Sequence, residues 1–143
     1  MATTTATLSI SSADLLPSSP LSISASSTLM KAGTSVGLLM MESGSGELTV
    51  AASNNGVVLK EATTAGAGTA AKVYICNKAT DPTYYIQIKL HDAILGRLYA
   101  GDWMFMPWVQ GDTDAEISLE AEGGTCHYEW AIFKEGETMV ART

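Results

Sequence analysis

The chain has 143 residues, of which 46% are apolar and 16% charged, with 13 Gly and only 4 Pro; this is material for one ordinary domain with an arm and too little for a multi-domain enzyme. Fifteen acidic residues against eight basic ones give a net charge of -7 and a pI near 4.6, the wrong sign for neutralising phosphates, so no nucleic acid is expected as a partner. No stretch approaches the roughly 18 to 20 consecutive apolar residues that cross a bilayer, and the opening Met1-Ala-Thr-Thr-Thr-Ala-Thr lacks the basic and apolar regions of a secretory signal, so neither a membrane nor general export is expected.

Residues 1–34 differ in kind from the remainder. Sixteen of the first 35 residues are Ser or Thr, Asp14 and Lys31 are the only charges, and no side chain is aromatic. Such a segment cannot bury enough apolar area of its own to offset the entropy of ordering it. Yet Leu8/Ile10 and Leu21/Ile23 form alternating pairs, which suits an extended Ser/Thr-rich arm ordered as added strands on another surface. Pro17 and Pro20 interrupt any continuous ladder, so the arm should bend. A free terminus and a first strand of the same domain are the alternatives.

From residue 35 to 143 the hydrophobic period is two. In 83–90, Tyr84, Ile86, Ile88 and Leu90 form one face and Tyr85, Gln87 and Lys89 the other. In 115–122, Ile117, Leu119 and Ala121 oppose Glu116, Ser118, Glu120 and Glu122. In 125–133, Cys126, Tyr128, Trp130 and Ile132 oppose His127, Glu129, Ala131 and Phe133, a second face that is only partly polar. Further strands are expected at 35–41, 47–52, 56–60, 70–77, 93–99 and 102–107. They are separated by turn signals at Ser43-Gly44-Ser45-Gly46, Asn54-Asn55-Gly56, Ala65-Gly66-Ala67-Gly68, Gly111-Asp112 and Gly123-Gly124. No window carries a helical stripe. The pattern predicts an all-β domain, an antiparallel β-sandwich of jelly-roll or Ig-like type.

Groups that could carry chemistry are sparse. His91-Asp92 sits at a turn, and neighbouring strand residues point to opposite faces. His127 and Glu129 share a face, which cross-strand pairing explains equally well. The acidic run Asp112, Asp114, Glu116, Glu120 and Glu122 lacks the close spacing of a calcium loop. Cys76 and Cys126 lie fifty positions apart without zinc-ligand spacing and read as buried thiols, with a cross-sheet disulfide as the alternative. No catalytic residue, cofactor or metal site is therefore expected.

The aromatic residues are more informative. Tyr99, Trp103, Phe105, Trp108, Tyr128, Trp130 and Phe133 crowd one part of the chain. In 103–106, Trp103 and Phe105 share one strand face while Met104 and Met106 share the other, so both faces are apolar and both need cover. Adaptable, Met-rich surfaces suit subunit contacts. Arg97 is a candidate for an ion pair with one of the acidic strand positions, which if exposed contributes only about 0 to 1 kcal/mol.

The runs Ala93-Ile-Leu-Gly-Arg-Leu-Tyr-Ala-Gly-Asp-Trp-Met-Phe-Met-Pro-Trp, Asp114-Ala-Glu-Ile-Ser-Leu-Glu-Ala and Cys126-His-Tyr-Glu-Trp-Ala-Ile-Phe resemble the C-terminal part of small structural proteins of tailed-bacteriophage virions, of the capsid decoration or cement type. In these a Gly-acidic turn feeds an aromatic strand ending in Pro-Trp or a similar pair, and two further strands close the sheet. The likeness spans about residues 70–134 at the level of pattern. It implies a non-enzymatic virion protein that decorates or cements the capsid shell, with the major capsid protein or other virion proteins as partners and a homo-oligomer, trimer or dimer, as its state. The expected location is the capsid surface, reached from the host cytoplasm during assembly.

Combined with the residue reading, this places the arm anchors at Leu8, Ile10, Leu21 and Ile23. Trp103, Phe105, Pro107 and Trp108 are expected to line a subunit contact or the adjoining core. A tail, connector or fibre-associated component is the alternative. A carbohydrate-binding module stacking sugars on Trp103, Trp108 and Trp130 is a further one.

Overall fold

The computed structural model describes residues 3–15, 18–38, 40–50, 57–59 and 69–136. The strands are β1 (Thr4–Ser12), β2 (Leu21–Leu29), β3 (Met40–Leu48), β4 (Val57–Val58), β5 (Thr69–Asn77), β6 (Tyr85–Leu90), β7 (Ala93–Tyr99), β8 (Trp103–Gln110), β9 (Ile117–Glu122) and β10 (Cys126–Lys134). The only helical element among the described residues is a single 3-10 turn at Thr113–Ala115.

Strands β3 to β10 pair concentrically. The turn at His91 and Asp92 brings β6 against β7; outward from it β5 pairs with β8, β4 with β9 and β3 with β10, all antiparallel. This is one long hairpin, and it is rolled up: β10 also pairs with β5 and β9 with β6. Two four-stranded sheets result, in the orders β3-β10-β5-β8 and β4-β9-β6-β7. The expected antiparallel sandwich is therefore a jelly roll, not an Ig-like sandwich.

Alternation in the strands builds the core. Val73 and Ile75 from β5, Ile86 and Ile88 from β6, Ile117 and Leu119 from β9, and Cys126 and Ile132 from β10 are almost wholly excluded from solvent. β-branched isoleucine and valine dominate because they fit a pleated, half-buried surface at little rotamer cost. Asn77 is the fully buried polar residue at one end of this core. Its Nδ2 donates to the Leu98 carbonyl at 2.8 Å and its Oδ1 accepts from the Ala79 N–H at 2.9 Å. Its backbone N–H donates to Asp102 O and its carbonyl accepts from Gly101 N–H, both at 2.9 Å. One side chain thus joins β5 to β7 across the two sheets.

Three expectations from the sequence change. The Ser43-Gly44-Ser45-Gly46 run is not a turn: β3 passes straight through it. Gly44 pairs with Trp130 and Gly46 with Tyr128, and a Cβ would stand 3.0 Å from the Trp130 ring at the first and 2.8 Å from the Tyr128 ring at the second. The glycines are there because two aromatic rings lie across the strand. The strand expected at 35–41 is not found either: residues 35–38 lie outside any strand, and Met40 and Met41 open β3. Lys31 N–H donates to Val36 O at 2.7 Å and Thr34 N–H to Lys31 O at 3.0 Å, closing a compact turn, and only Gly37 makes a bridge, to Met30. The turn signals at 54–56 and 65–68 lie outside the described residues, as does Pro17. Gly123-Gly124 does turn the chain, with Gly123 at φ +87° and Gly124 under the Tyr84 ring.

The third change concerns the arm. It is not one extended segment: residues 4–29 fold back as a hairpin in which β1 and β2 pair in unbroken register from Thr4↔Leu29 to Ser12↔Leu21. The two strands satisfy each other's inward-facing backbone groups, so their pairing needs no foreign sheet edge. At ~3.3 Å per residue the nine-residue strands give a projection of about 30 Å, not the full extended length of the segment.

Two measurements check this account. Gly46→Val should destabilise the protein by about 1 to 3 kcal/mol, because the Tyr128 ring must leave its place. Asn77→Ala strands a buried carbonyl and a buried N–H and should cost about 2 to 4 kcal/mol. Chemical denaturation of each variant reads both.

Candidate assembly surface

In strand β8 the residues Met104, Met106, Trp108 and Gln110 point into the sandwich. Trp103, Phe105, Pro107 and Val109 point outward. Trp108 is buried, and its indole N–H donates to the Ala115 carbonyl at 2.6 Å. It belongs to the core. Trp103 remains 50% exposed and Phe105 38%, and Pro107 is exposed as well.

The register extends this outer face across the sheet. Phe105 pairs with Tyr74 and Trp103 with Cys76 on β5, and Tyr74 pairs with Ala131 of β10. Phe133 of β10 reaches Phe105 edge-on, with ring centroids 6.2 Å apart. Tyr74 and Val109 had no place in the sequence-derived set, and Phe133 stood only in the aromatic cluster and on the partly polar face of 125–133. Their signal was that each stands in the phase of its strand opposite to the core-facing one.

Above this face lies the hairpin, one side of which is all hydroxyls and the other mostly apolar. Thr5, Thr7, Ser9, Ser11, Ser22, Ser24, Ser26 and Thr28 make one side, a field of hydroxyls in which Thr7 and Ser26 are 3.4 Å apart. Ala6, Leu8, Ile10, Leu21, Ile23, Ala25 and Leu29 lie on the other, together with Thr4, Ser12 and Ser27. The base is fixed: Leu29 is buried, and Ala32 N–H donates to the Glu135 carbonyl at 2.8 Å. Glu135 is held in turn by Lys72, at 2.5 Å.

Between hairpin and sheet runs a cleft of about 580 Å³ lined by Thr4–Leu8 and Ala25–Leu29 from above, save Thr28, and by Tyr74, Trp103, Phe105 and Phe133 from below. Beyond it the last rungs, Ile10↔Ile23 and Ser12↔Leu21, overhang. Ile10 and Ile23 are each 44% exposed and Leu21 46%, while Leu8 is half-buried. The structure thus brings Leu8 near Trp103 and Phe105 around one cleft and leaves Ile10, Leu21 and Ile23 projecting. A second exposed apolar group, Ile94 and Leu95 on the edge strand β7, was not singled out from the sequence.

The polar groups do not converge. His91, at φ +54°, lies 3.7 Å from Asp92, and His127 pairs across strands with Glu47 at 3.6 Å rather than with Glu129. Lys89 joins Glu120 at 2.7 Å, whereas Arg97 stacks over the Tyr85 ring, 4.8 Å from its centroid, in place of the expected acidic partner. Among the described residues no three His, Cys, Asp or Glu side chains are grouped to hold a metal ion, and no helix is long and apolar enough to cross a membrane.

Cys76 and Cys126 are both buried and free, on opposite faces of their sheet. Burial pushes the Cys126 thiol up, so it stays protonated. Trp108 in the core and Trp130 half-buried beside it leave Trp103 alone of the three tryptophans for stacking a sugar.

A scan of protein-family models and a search of curated proteins return no match to this chain.

Tyr74, in the floor of the cleft, donates to Glu129 Oε1 at 3.2 Å. Burial, reinforced by the Cys76 thiol and the Glu129 carboxylate, holds its phenol above the usual tyrosine range. The unfolded chain ionises this group near pH 10 while the folded chain keeps the proton, so its contribution to stability is complete below about pH 10 and is lost as the pH rises further. In an alkaline titration followed by tyrosinate absorbance, one of the five tyrosines should ionise late, and Tyr74→Phe should remove that phase.

Proposed function

We propose that this chain is a structural component of a tailed-phage virion that decorates or cements the capsid shell and performs no catalysis. The observation that carries the reading is the outer face of β8 and its neighbours, where Trp103, Phe105, Pro107 and Val109 stand in water beside a hairpin with a free apolar tip. Contiguous apolar surface of this kind marks a contact site. A jelly roll filled by its own side chains offers rigid faces, and rigid faces repeated by symmetry are what a shell component needs. The fold itself hosts many functions, so the weight rests on this surface and on the resemblance of residues 70–134 to virion proteins. The acidic exterior keeps unassembled copies apart in solution.

The partner in this reading is the major capsid protein, and the location is the outside of the head. Purified chain added to heads that lack it should bind saturably, on the order of hundreds of copies per head, as symmetry repeats the site, and should raise the temperature at which the shell opens. Replacing both Trp103 and Phe105 by Ser should weaken that binding about 30-fold or more, the loss expected for central aromatic anchors. Absence of binding to heads overturns the proposal. Saturation at about six to twelve copies, the rotational symmetry of a tail, moves the chain to a tail or connector.

A further inference from the structure

The hairpin roofs the outer face of one sheet of the sandwich. The outer face of the other sheet, β4-β9-β6-β7, has a different character. The alternation that buries Ile86, Ile88, Leu98, Leu119 and Ala121 sends Tyr85, Gln87, Arg97, Tyr99 and Glu120 outward. Register sets these in two neighbouring rungs of one face. Glu122, Tyr85 and Tyr99 make the first, and Glu120, Gln87 and Arg97 the second.

Both rungs are already held in place. The Tyr85 and Tyr99 rings lie 5.1 Å apart, inclined at 47°, and the Arg97 guanidinium covers Tyr85 at 4.8 Å from its centroid. Tyr99, 42% exposed, is the ring left open. Its backbone is clamped by Asp102: the carboxylate accepts from the Tyr99 N–H, and the Asp102 N–H donates to the Tyr99 carbonyl, both at 2.9 Å. Glu120 is half-buried and accepts from Lys89 at 2.7 Å and from the Gln87 amide at 3.4 Å.

We propose that these two rungs bind a neutral oligosaccharide, with a sugar ring stacked on Tyr99 and its hydroxyls held by Arg97, Gln87 and Glu120.

Charge and hydrogen-bonding capacity select that class. Strands β6, β7 and β9 carry two cations, Lys89 and Arg97, and two anions, Glu120 and Glu122. On a chain of net charge -7 this face is balanced, and it offers no excess of either sign to an ionic ligand. A guanidinium only donates, a carboxylate only accepts and an amide does both. A hydroxyl also does both, so adjacent hydroxyls of one sugar ring can engage all three groups. An apolar partner surface would instead leave them covered and unpaired, which is costly. The ring of Tyr99 supplies the flat apolar surface on which the C–H face of a sugar packs. Groups fixed beforehand reduce the ordering cost of association. They stand in rows on an open face, an arrangement for holding a chain rather than for breaking a bond.

The site is on the side of the sandwich opposite Trp103 and Phe105. It therefore goes beyond the shell-contact reading and leaves that contact face to its partner.

An array of neutral and acidic glycans, probed with the purified full chain and followed by calorimetric titration of each glycan bound, tests the proposal. Neutral oligosaccharides should bind. Tyr99→Ala should weaken that binding about 10-fold through loss of stacking, and Arg97→Met about 10-fold through loss of a charged donor. Both side chains stand outside the core, so the β-sheet spectrum and the denaturation midpoint should hold. Tyr99→Phe, which keeps the ring, should bind as the parent does. Replacing both Trp103 and Phe105 by Ser should leave sugar binding unchanged. Failure to bind any neutral glycan overturns the inference, as does binding confined to acidic glycans. Binding indifferent to both Tyr99→Ala and Arg97→Met overturns it as well.

The two readings fail separately. A chain that binds phage heads and no glycan removes the sugar site and leaves the virion assignment standing. A glycan-binding chain that ignores heads does the reverse.

Discussion

Strand β8 has two apolar faces, and a two-layer sandwich can cover one of them. Met104, Met106 and Trp108 take the covered side, where the Trp108 indole finds the Ala115 carbonyl. Trp103, Phe105, Pro107 and Val109 are left outside. No repacking of the core relieves this, because alternation along the strand fixes which residues share a side. The rest of the molecule is arranged around that surplus: Tyr74 and Phe133 widen it across the sheet, and the hairpin roofs part of it without closing it.

The hairpin shows how a segment with no core of its own becomes ordered. Its inward-facing backbone groups are satisfied between its two strands, and its side chains are sorted into a hydroxyl side and a mostly apolar side. The entropy of ordering such a segment is offset at the base by Leu29 and the turn at 31–36, which is tied to Glu135 and through it to Lys72. Burial declines from that base outward. A gradient of this kind marks an element only half accommodated by its own chain.

Period-two alternation made the interior legible in advance. Ile86, Ile88, Ile117, Leu119 and Cys126 were readable as core because each alternates with more polar neighbours, and each is buried. The concentric pairing was not readable, since alternation says which face a residue takes and nothing about which strand lies beside it. The glycines of β3 misled because glycine favours turns for its backbone freedom, whereas here it serves by lacking a Cβ beneath Trp130 and Tyr128. Tyr74 was hidden for a related reason: between Val73 and Ile75 it looked like the middle of one apolar run. Of the residues proposed for contact, Trp103, Phe105 and Pro107 lie at the surface and Trp108 in the core. Sequence alone could not separate these, because all four are large and lie within six positions.

Within the arm, alternation and a bend near Pro17 and Pro20 were expected from the sequence, but the return of the second strand onto the first was not. That pairing leaves a particular legacy. β1 and β2 form a sheet of only two strands, so each has an outer rim of backbone N–H and C=O groups without a strand beside it. Neither strand contains a proline or a lysine, the devices with which such rims are usually blunted. The hairpin therefore keeps two unblunted rims, the kind of edge to which further strands add.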